Sequence, residues 1–189
     1  MKYQKPYRSN SLTLQEQAAL LQVTESFDDL ALFKLALSSG IRREDIVGIE
    51  IGNINFEAKT LTFWEGKKSR WWTIPLVGDV VFELQRYINT LPHGQKKLFT
   101  FTGRTAYNKL QRYLKKAGIT KEMSFHDLRR TFIKTAKQRG ISIKAVSQIT
   151  GDTMRVIQEH YENLSMDELK EEIDKMENKN GILKNTNQG

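Results

Sequence analysis

Cysteine is absent from the 189 residues. That excludes a disulfide framework, an iron–sulfur cluster, a thiolate zinc site and a cysteine nucleophile. No apolar run approaches the ~18 residues that a membrane span needs. The first residues, MKYQKPYRSNSLTLQEQ, lack the apolar stretch of a secretory signal. The cytoplasm is therefore the expected compartment. Histidine is scarce too. His93, His126 and His160 have no paired-ligand spacing, so no metal and no cofactor is expected. No internal repeat or low-complexity segment is present.

What is there reads as a folded domain of ordinary size, 39% hydrophobic and 28% charged. Its charge is uneven. Lysine and arginine exceed aspartate and glutamate by 30 to 22. Between Lys96 and Lys144 lie 14 basic residues, opposed only by Glu122 and Asp127. From Ser165 onward the balance is acidic. A concentrated positive field points to a polyanion, most often nucleic acid.

Periodicity gives a mainly α chain with a small antiparallel three-stranded sheet. Thr13 and Glu16 have capping-box spacing ahead of a helix to about Gln22. Asp28 and Asp29 start a second helix over Leu30–Leu37, stopped by Gly40. A short turn follows at Arg43–Gly48. Three runs rich in Ile, Phe, Thr and Trp form a meander, Asn53–Phe56, Thr60–Trp64 and Arg70–Ile74. Trp71 and Trp72 then point to opposite faces, one toward the core and one outward. Helices are expected over Asp79–Leu91, Thr105–Ala117, Asp127–Arg139, Ser142–Ile149, Thr153–Tyr161 and Met166–Met176. The organisation is a tail over 1–10, a domain over 11–164, and a C-terminal helix and loose tail over 165–189.

Four stretches carry chemistry. In Ser124-Phe-His-Asp-Leu-Arg-Arg-Thr-Phe132, His126 and Arg129 share a helix face. They pair a proton carrier active near neutral pH with a fork that fits phosphate oxygens. Ser38-Ser-Gly-Ile-Arg42-Arg-Glu-Asp45 sets another arginine where one helix ends and a turn begins. Trp64-Glu-Gly-Lys67-Lys68-Ser-Arg70 places lysines at a hairpin tip. The last stretch, from Gly151 to Tyr161, sets a tyrosine ten positions after a glycine. Taken singly, each has an ordinary structural reading: a capping arginine, turn lysines, a packed tyrosine.

In this order the four stretches resemble the catalytic domain of the tyrosine recombinases, the phage-integrase family, over about Ser11 to Ser165. Ser39-Gly-Ile-Arg42 matches the turn that carries the family's first arginine, and Asp45 its usual acid. Ile74-Pro-Leu76 matches the strand end that follows the family's hairpin lysine. Lys68, seven residues before Pro75, is the first choice for that lysine and Lys67 the second. His126-Asp-Leu-Arg129-Arg-Thr131 matches the His-x-Leu-Arg motif, and Tyr161 has the nucleophile's spacing. The resemblance implies catalytic roles for Arg42, Lys68, His126, Arg129 and Tyr161. Contacts to double-stranded DNA would fall to Lys67, Arg70, Arg104, Lys109, Arg130 and Lys134. The implied activity cleaves and rejoins DNA through a 3′-phosphotyrosyl bond, on a homo-oligomer that is a tetramer on DNA, with exchange of C-terminal segments between protomers. A type IB topoisomerase-like nicking and religating enzyme, or a DNA-binding remnant without catalysis, are the alternatives.

Two positions depart from the pattern. The family has His or Trp directly after the glycine, and here Asp152 stands there. A carboxylate repels phosphate unless it pairs with an arginine or turns away. The family also has an apolar residue before the tyrosine. Here it is His160, which on helical spacing faces away from Tyr161 and toward solvent. Only about ten residues precede the first helix, so the N-terminal DNA-clamping domain common in the family is not expected in this chain.

Overall fold

The structure is a computed structural model that describes residues 10–162 and Lys170. Its elements in chain order are α1 (Leu14–Gln22), α2 (Phe27–Ser39), α3 (Arg43–Val47), β1 (Ile54–Asn55), β2 (Thr60–Glu65) and β3 (Arg70–Pro75). Then follow α4 (Gly78–Ile88), α5 (Gly103–Lys116), α6 (Phe125–Gln138), α7 (Ile143–Thr150) and α8 (Met154–Glu162). The expected Met166–Met176 helix lies outside the described residues, as do the C-terminal tail and all of the N-terminal tail but Asn10.

Local chemistry accounts for the element ends. Thr13 and Glu16 form the expected reciprocal cap on α1. Ser124 and Asp127 form a second one, so α6 starts at Phe125, two residues ahead of the expected Asp127. Glycines in the left-handed conformation close α2 at Gly40 and α7 at Gly151.

The sheet is the expected antiparallel meander in the order β1-β2-β3. β1 is shorter than expected, because a 3₁₀ turn over Ile51–Asn53 takes up its start. The β2–β3 register pairs Glu65 with Arg70 and Trp64 with Trp71 across the hairpin. Leu61, Phe63 and Glu65 point inward, while Trp64 and Trp71 sit outward in an edge-to-face pair. Trp72 packs partly against the core, as the alternation requires.

α2 runs through the centre and packs against α4 and α6. Its residues Leu32, Phe33 and Leu35 are fully buried with Leu20, Leu61, Ile74, Leu84 and Tyr113. A second, smaller core holds Phe132, Ile133, Ala136, Val146 and Ile157, with Tyr161 packed on it. This smaller core joins α6, α7 and α8. The candidate site residues lie where it meets the end of α2 and the tip of the hairpin. Among the described residues no helix is long and apolar enough to cross a membrane.

Candidate active site

Arg42 follows directly on the end of α2. Gly40 turns the chain there with φ +62, and a Cβ at this position would lie 2.8 Å from Phe132. Only glycine fits both the torsion and the space. Arg42 then enters α3 in extended conformation, with its guanidinium free to face the sheet and the α7–α8 link. Its Nη1 donates to Glu65 Oε1 at 2.6 Å and its Nη2 to Asp152 Oδ1 at 2.9 Å.

Arg129 lies one helical turn into α6 and is 4% exposed. Its Nη1 donates to Gly40 O at 2.5 Å and its Nη2 to Thr150 O at 2.7 Å. Nε and Nη2 also reach Asp152 Oδ2, at 3.1 and 2.5 Å. The ends of α2 and α7 thus fix the guanidinium, and one carboxylate bridges both arginines.

Glu65 stands behind them, 1% exposed. Sequence reasoning passed over it, although an acid at an inward position after Leu61 and Phe63 signals a buried ion pair. Arg70 Nε donates to its second oxygen at 2.7 Å, and the Arg70 guanidinium stacks on Trp72 at 3.8 Å. Burial alone would raise the Glu65 carboxyl, but the bonds from Arg70 and Arg42 outweigh it and hold Glu65 below the usual range. Gly151 rests directly on this pair. A Cβ there would sit 3.1 Å from both Arg70 Nη2 and Glu65 Oε1.

Asp45 ties the hairpin turn to α3, because its Oδ1 accepts from Gly66 N at 3.1 Å. Its Oδ2 is buried without a hydrogen-bond partner among the described residues. Burial pushes its carboxyl above the ordinary value. Lys67 and Lys68 part company at the tip. Lys67 lines the cavities in front of the arginines. Lys68 turns back and donates to Gly151 O.

Two adjoining cavities of about 490 and 530 Å³ open here, and both are lined by Arg42, Lys67, His126 and Arg129. His126 is held below its usual pKa by burial and by the Arg130 charge. It is therefore a neutral imidazole near pH 7. Asp152 and His160 line the second cavity. His160 was expected to face solvent, yet it is half-buried on this wall. Tyr161, the next residue on α8, lines neither cavity. Its hydroxyl donates to Ile141 O at 2.8 Å, and burial raises its pKa. One step along a helix is about 100° of rotation, which separates the two faces.

The remaining basic candidates scatter. Arg70 supports the site from behind, through Glu65. Arg130 lines the second cavity and pairs with Asp127 at 3.2 Å. Lys134 is half-buried on α6. Arg104 is exposed on α5, over the Tyr107 ring. Lys109 is spent inside the protein, on Asp29 at 2.5 Å and Asp28 at 2.9 Å. It is tied into the fold, which sets it apart from the exposed Arg104.

The arrangement offers two fixed guanidiniums to the oxygens of one anion, with an imidazole and an ammonium on the same wall. Comparisons with known proteins give the family and the fold. The Phage integrase family profile matches residues 10–168. Tyrosine recombinase XerA of Pyrococcus horikoshii is 26% identical over 174 residues, which are 87% of this chain and 60% of that protein. Tyrosine recombinase XerC of Chlamydia trachomatis serovar L2 is 29% identical over 182 residues, 86% of this chain and 56% of that protein. The chain thus spans well under two thirds of the curated relatives it matches. The crystal structure of a XerA recombinase superposes with a TM-score of 0.79 at 20% identity, covering 93% of this chain and 67% of that one. The chain belongs to the phage integrase family, and its fold is that of a tyrosine recombinase catalytic domain.

Proposed function

We propose that this chain cleaves and rejoins DNA strands through a covalent bond between Tyr161 and a backbone phosphate. The observation that carries this reading is the grip of Arg42 and Arg129 on the two oxygens of a single carboxylate. A phosphodiester presents two non-bridging oxygens to the same pair of forks. Solved structures of similar fold include XerH bound to its difH substrate and a lambda integrase dimer bound to a core site. Both support DNA as the partner here, and the second supports an assembly of more than one protomer on it.

In this scheme the Tyr161 phenol oxygen attacks phosphorus and the bond to the 5′-oxygen breaks. A 3′-phosphotyrosyl bond and a free 5′-hydroxyl result. The phosphate link conserves the bond, so attack by another 5′-hydroxyl reverses the step without ATP. Arg42 and Arg129 neutralise charge that builds on the non-bridging oxygens. His126, neutral near pH 7, takes the phenol proton. Lys67, on the cavity wall, protonates the leaving 5′-oxygen. Lys68 holds the α7–α8 link through Gly151 O and is the second choice for that proton.

A second reading, a DNA-binding protein without catalysis, is favoured by the Tyr161 hydroxyl being engaged with Ile141 O. A duplex nicked beside the scissile phosphate decides between them. Catalysis gives a protein–DNA adduct stable to denaturant, which disappears in Tyr161→Phe. A shifted band with no adduct would leave only binding. Recombination between two sites, as against relaxation of one supercoiled circle, separates a recombinase from a topoisomerase.

A further inference from the structure

We propose that the Asp152 carboxylate is a resident substitute for the substrate phosphate. It fills the two-arginine clamp when DNA is absent and must leave for a phosphodiester to enter. The clamp thereby rejects free oxyanions and accepts a phosphate only when a duplex presents it. This rests on the reading of Arg42 and Arg129 as the phosphate site.

The contacts are those of an occupied anion site. Oδ1 takes Arg42 Nη2 at 2.9 Å, while Oδ2 takes Arg129 Nε at 3.1 Å and Nη2 at 2.5 Å. The guanidiniums do not depend on this carboxylate for their placement. Arg129 keeps Gly40 O and Thr150 O, and Arg42 keeps Glu65. The clamp therefore survives the loss of Asp152 as a preformed, vacated site.

Asp152 is also the carboxylate that can leave. Its side chain is 18% exposed, against 1% for Glu65. It sits on the link between α7 and α8 and lines the 530 Å³ cavity. Its backbone is tethered separately. Ser147 Oγ donates to Asp152 O at 2.7 Å, and Asp152 N donates to Thr150 Oγ1 at 3.3 Å. A turn about its own side-chain torsions takes the carboxylate into the cavity without unfolding either helix.

The selectivity follows from tethering. A carboxylate on the chain competes at a high effective concentration, in the millimolar range or above. A free oxyanion of like charge competes poorly against it. A phosphate held in a duplex by further contacts is itself delivered at high effective concentration and can win.

The experiment is calorimetric titration of the full chain with tungstate at constant ionic strength. Wild type should bind weakly. Asp152→Asn should bind about tenfold more tightly or better, the scale of one charge-assisted contact. Adding Arg42→Ala to Asp152→Asn should remove the gain. Equal tungstate affinity in wild type and Asp152→Asn, or a gain that persists without Arg42, overturns the proposal. A measurement on unaltered protein covers the case in which Asp152→Asn fails to fold. The Arg42 and Arg129 Nε resonances of wild type should stay put in millimolar tungstate and move with the nicked duplex. Movement with tungstate at lower concentration overturns it as well. Covalent cleavage plays no part in the tungstate readouts. A protein that forms adduct yet shows no tungstate gain refutes this inference and leaves the proposed function standing. The reverse result refutes the function alone.

Discussion

Around Asp29, two carboxylates meet two cations in one cluster. Lys109 bonds Asp29 and Asp28, and Arg112 and the Tyr113 hydroxyl reach the other Asp29 oxygen at 3.2 and 2.6 Å. Asp29 is 1% exposed and lines none of the cavities described. Around Asp152 and Glu65, three arginines share two carboxylates, with Lys67 and His126 on the same cavity wall. The parts are alike. What differs is the balance of sign and the setting: the first cluster is neutral and borders none of the cavities described, although its Arg112 is exposed, while the second carries surplus positive charge beside open space. A balanced cluster away from any cavity pins helices together, in this case α2 to α5. An open, unbalanced one holds a preorganised positive field, and so suits an anion from outside.

The sharpest way to break that contrast is to disable each cluster and read stability and chemistry together. Asp29→Ala takes the buried acceptor from the Tyr113 hydroxyl and one of two carboxylates from Lys109, which keeps Asp28, while Arg112 stays in water; this should cost about 1–3 kcal/mol of stability. Denaturant unfolding checks this. The adduct rate on a nicked duplex, measured per folded molecule, should be unchanged. Arg129→Lys keeps one positive charge but loses the fork, so the adduct rate should fall about 10²–10³-fold. Duplex affinity, by mobility shift, should fall far less. Equal loss of rate and affinity in Arg129→Lys, or a slow adduct in folded Asp29→Ala, would erase the distinction between the clusters.

The two clusters were unequally legible in the sequence. Arg42, His126 and Arg129 stood out because each sits in a short motif with its own local logic, and the structure brings all three to one cavity. The glycine stops and the Thr13–Glu16 cap could be read because their physics is local. An arginine partner for Asp152 was one of the two outcomes the sequence left open, but the bridge from it to both Arg42 and Arg129 could not be read. It spans sequence separations of 110 and 23 residues, and only packing of α6 and α7 on the end of α2 brings them together. Asp29 read as a helix-start residue, and nothing in its own stretch announces Lys109, 80 positions away. Glu65 was legible in principle, from an acid at an inward register position. His160 and Tyr161 show the limit of face assignment on a short helix. Their 100° separation was clear, but which of the two meets the cavity depends on how α8 seats on the small core.

The hairpin lysines sharpen the contrast on a finer scale, because neighbours on one turn go to different work. Lys67 lines the open side, and Lys68 braces Gly151 O. Lys67→Ala should slow cleavage by about 10²-fold, the usual range for a lost general acid. A substrate whose 5′-bridging oxygen is replaced by sulfur should restore most of that rate, since a thiolate leaves without a proton. Lys68→Ala should slow cleavage less, and the sulfur substrate should not rescue it, because its contact is to backbone. Rescue of Lys68→Ala in place of Lys67→Ala would exchange the two roles.

The smallest effect concerns protons on the open wall. His126 is held below its ordinary pKa by burial and by Arg130, and His160 by burial, Arg130 and His126 itself. Arg42, Lys67, Arg129, Asp152 and Glu159 line the same space. Because both folded pKa values lie below the unfolded value of about 6.5, the unfolded chain binds more protons in the window between them. The folded state is then fully favoured above that pH and loses stability as pH falls through it. The lowered carboxylates Glu65, Asp28 and Glu16 act only further down, below their own ordinary values near 4. Melting temperatures at pH 7.5 and 5.5 therefore separate the histidines from these lowered carboxylates; Asp45, raised by burial, acts with the opposite sign and is common to every variant compared. Wild type should melt lower at pH 5.5, and the His126→Gln/His160→Gln double variant should lose less between the two. A double variant as acid-sensitive as wild type would mean that these two half-buried histidines are not what makes the fold yield to acid.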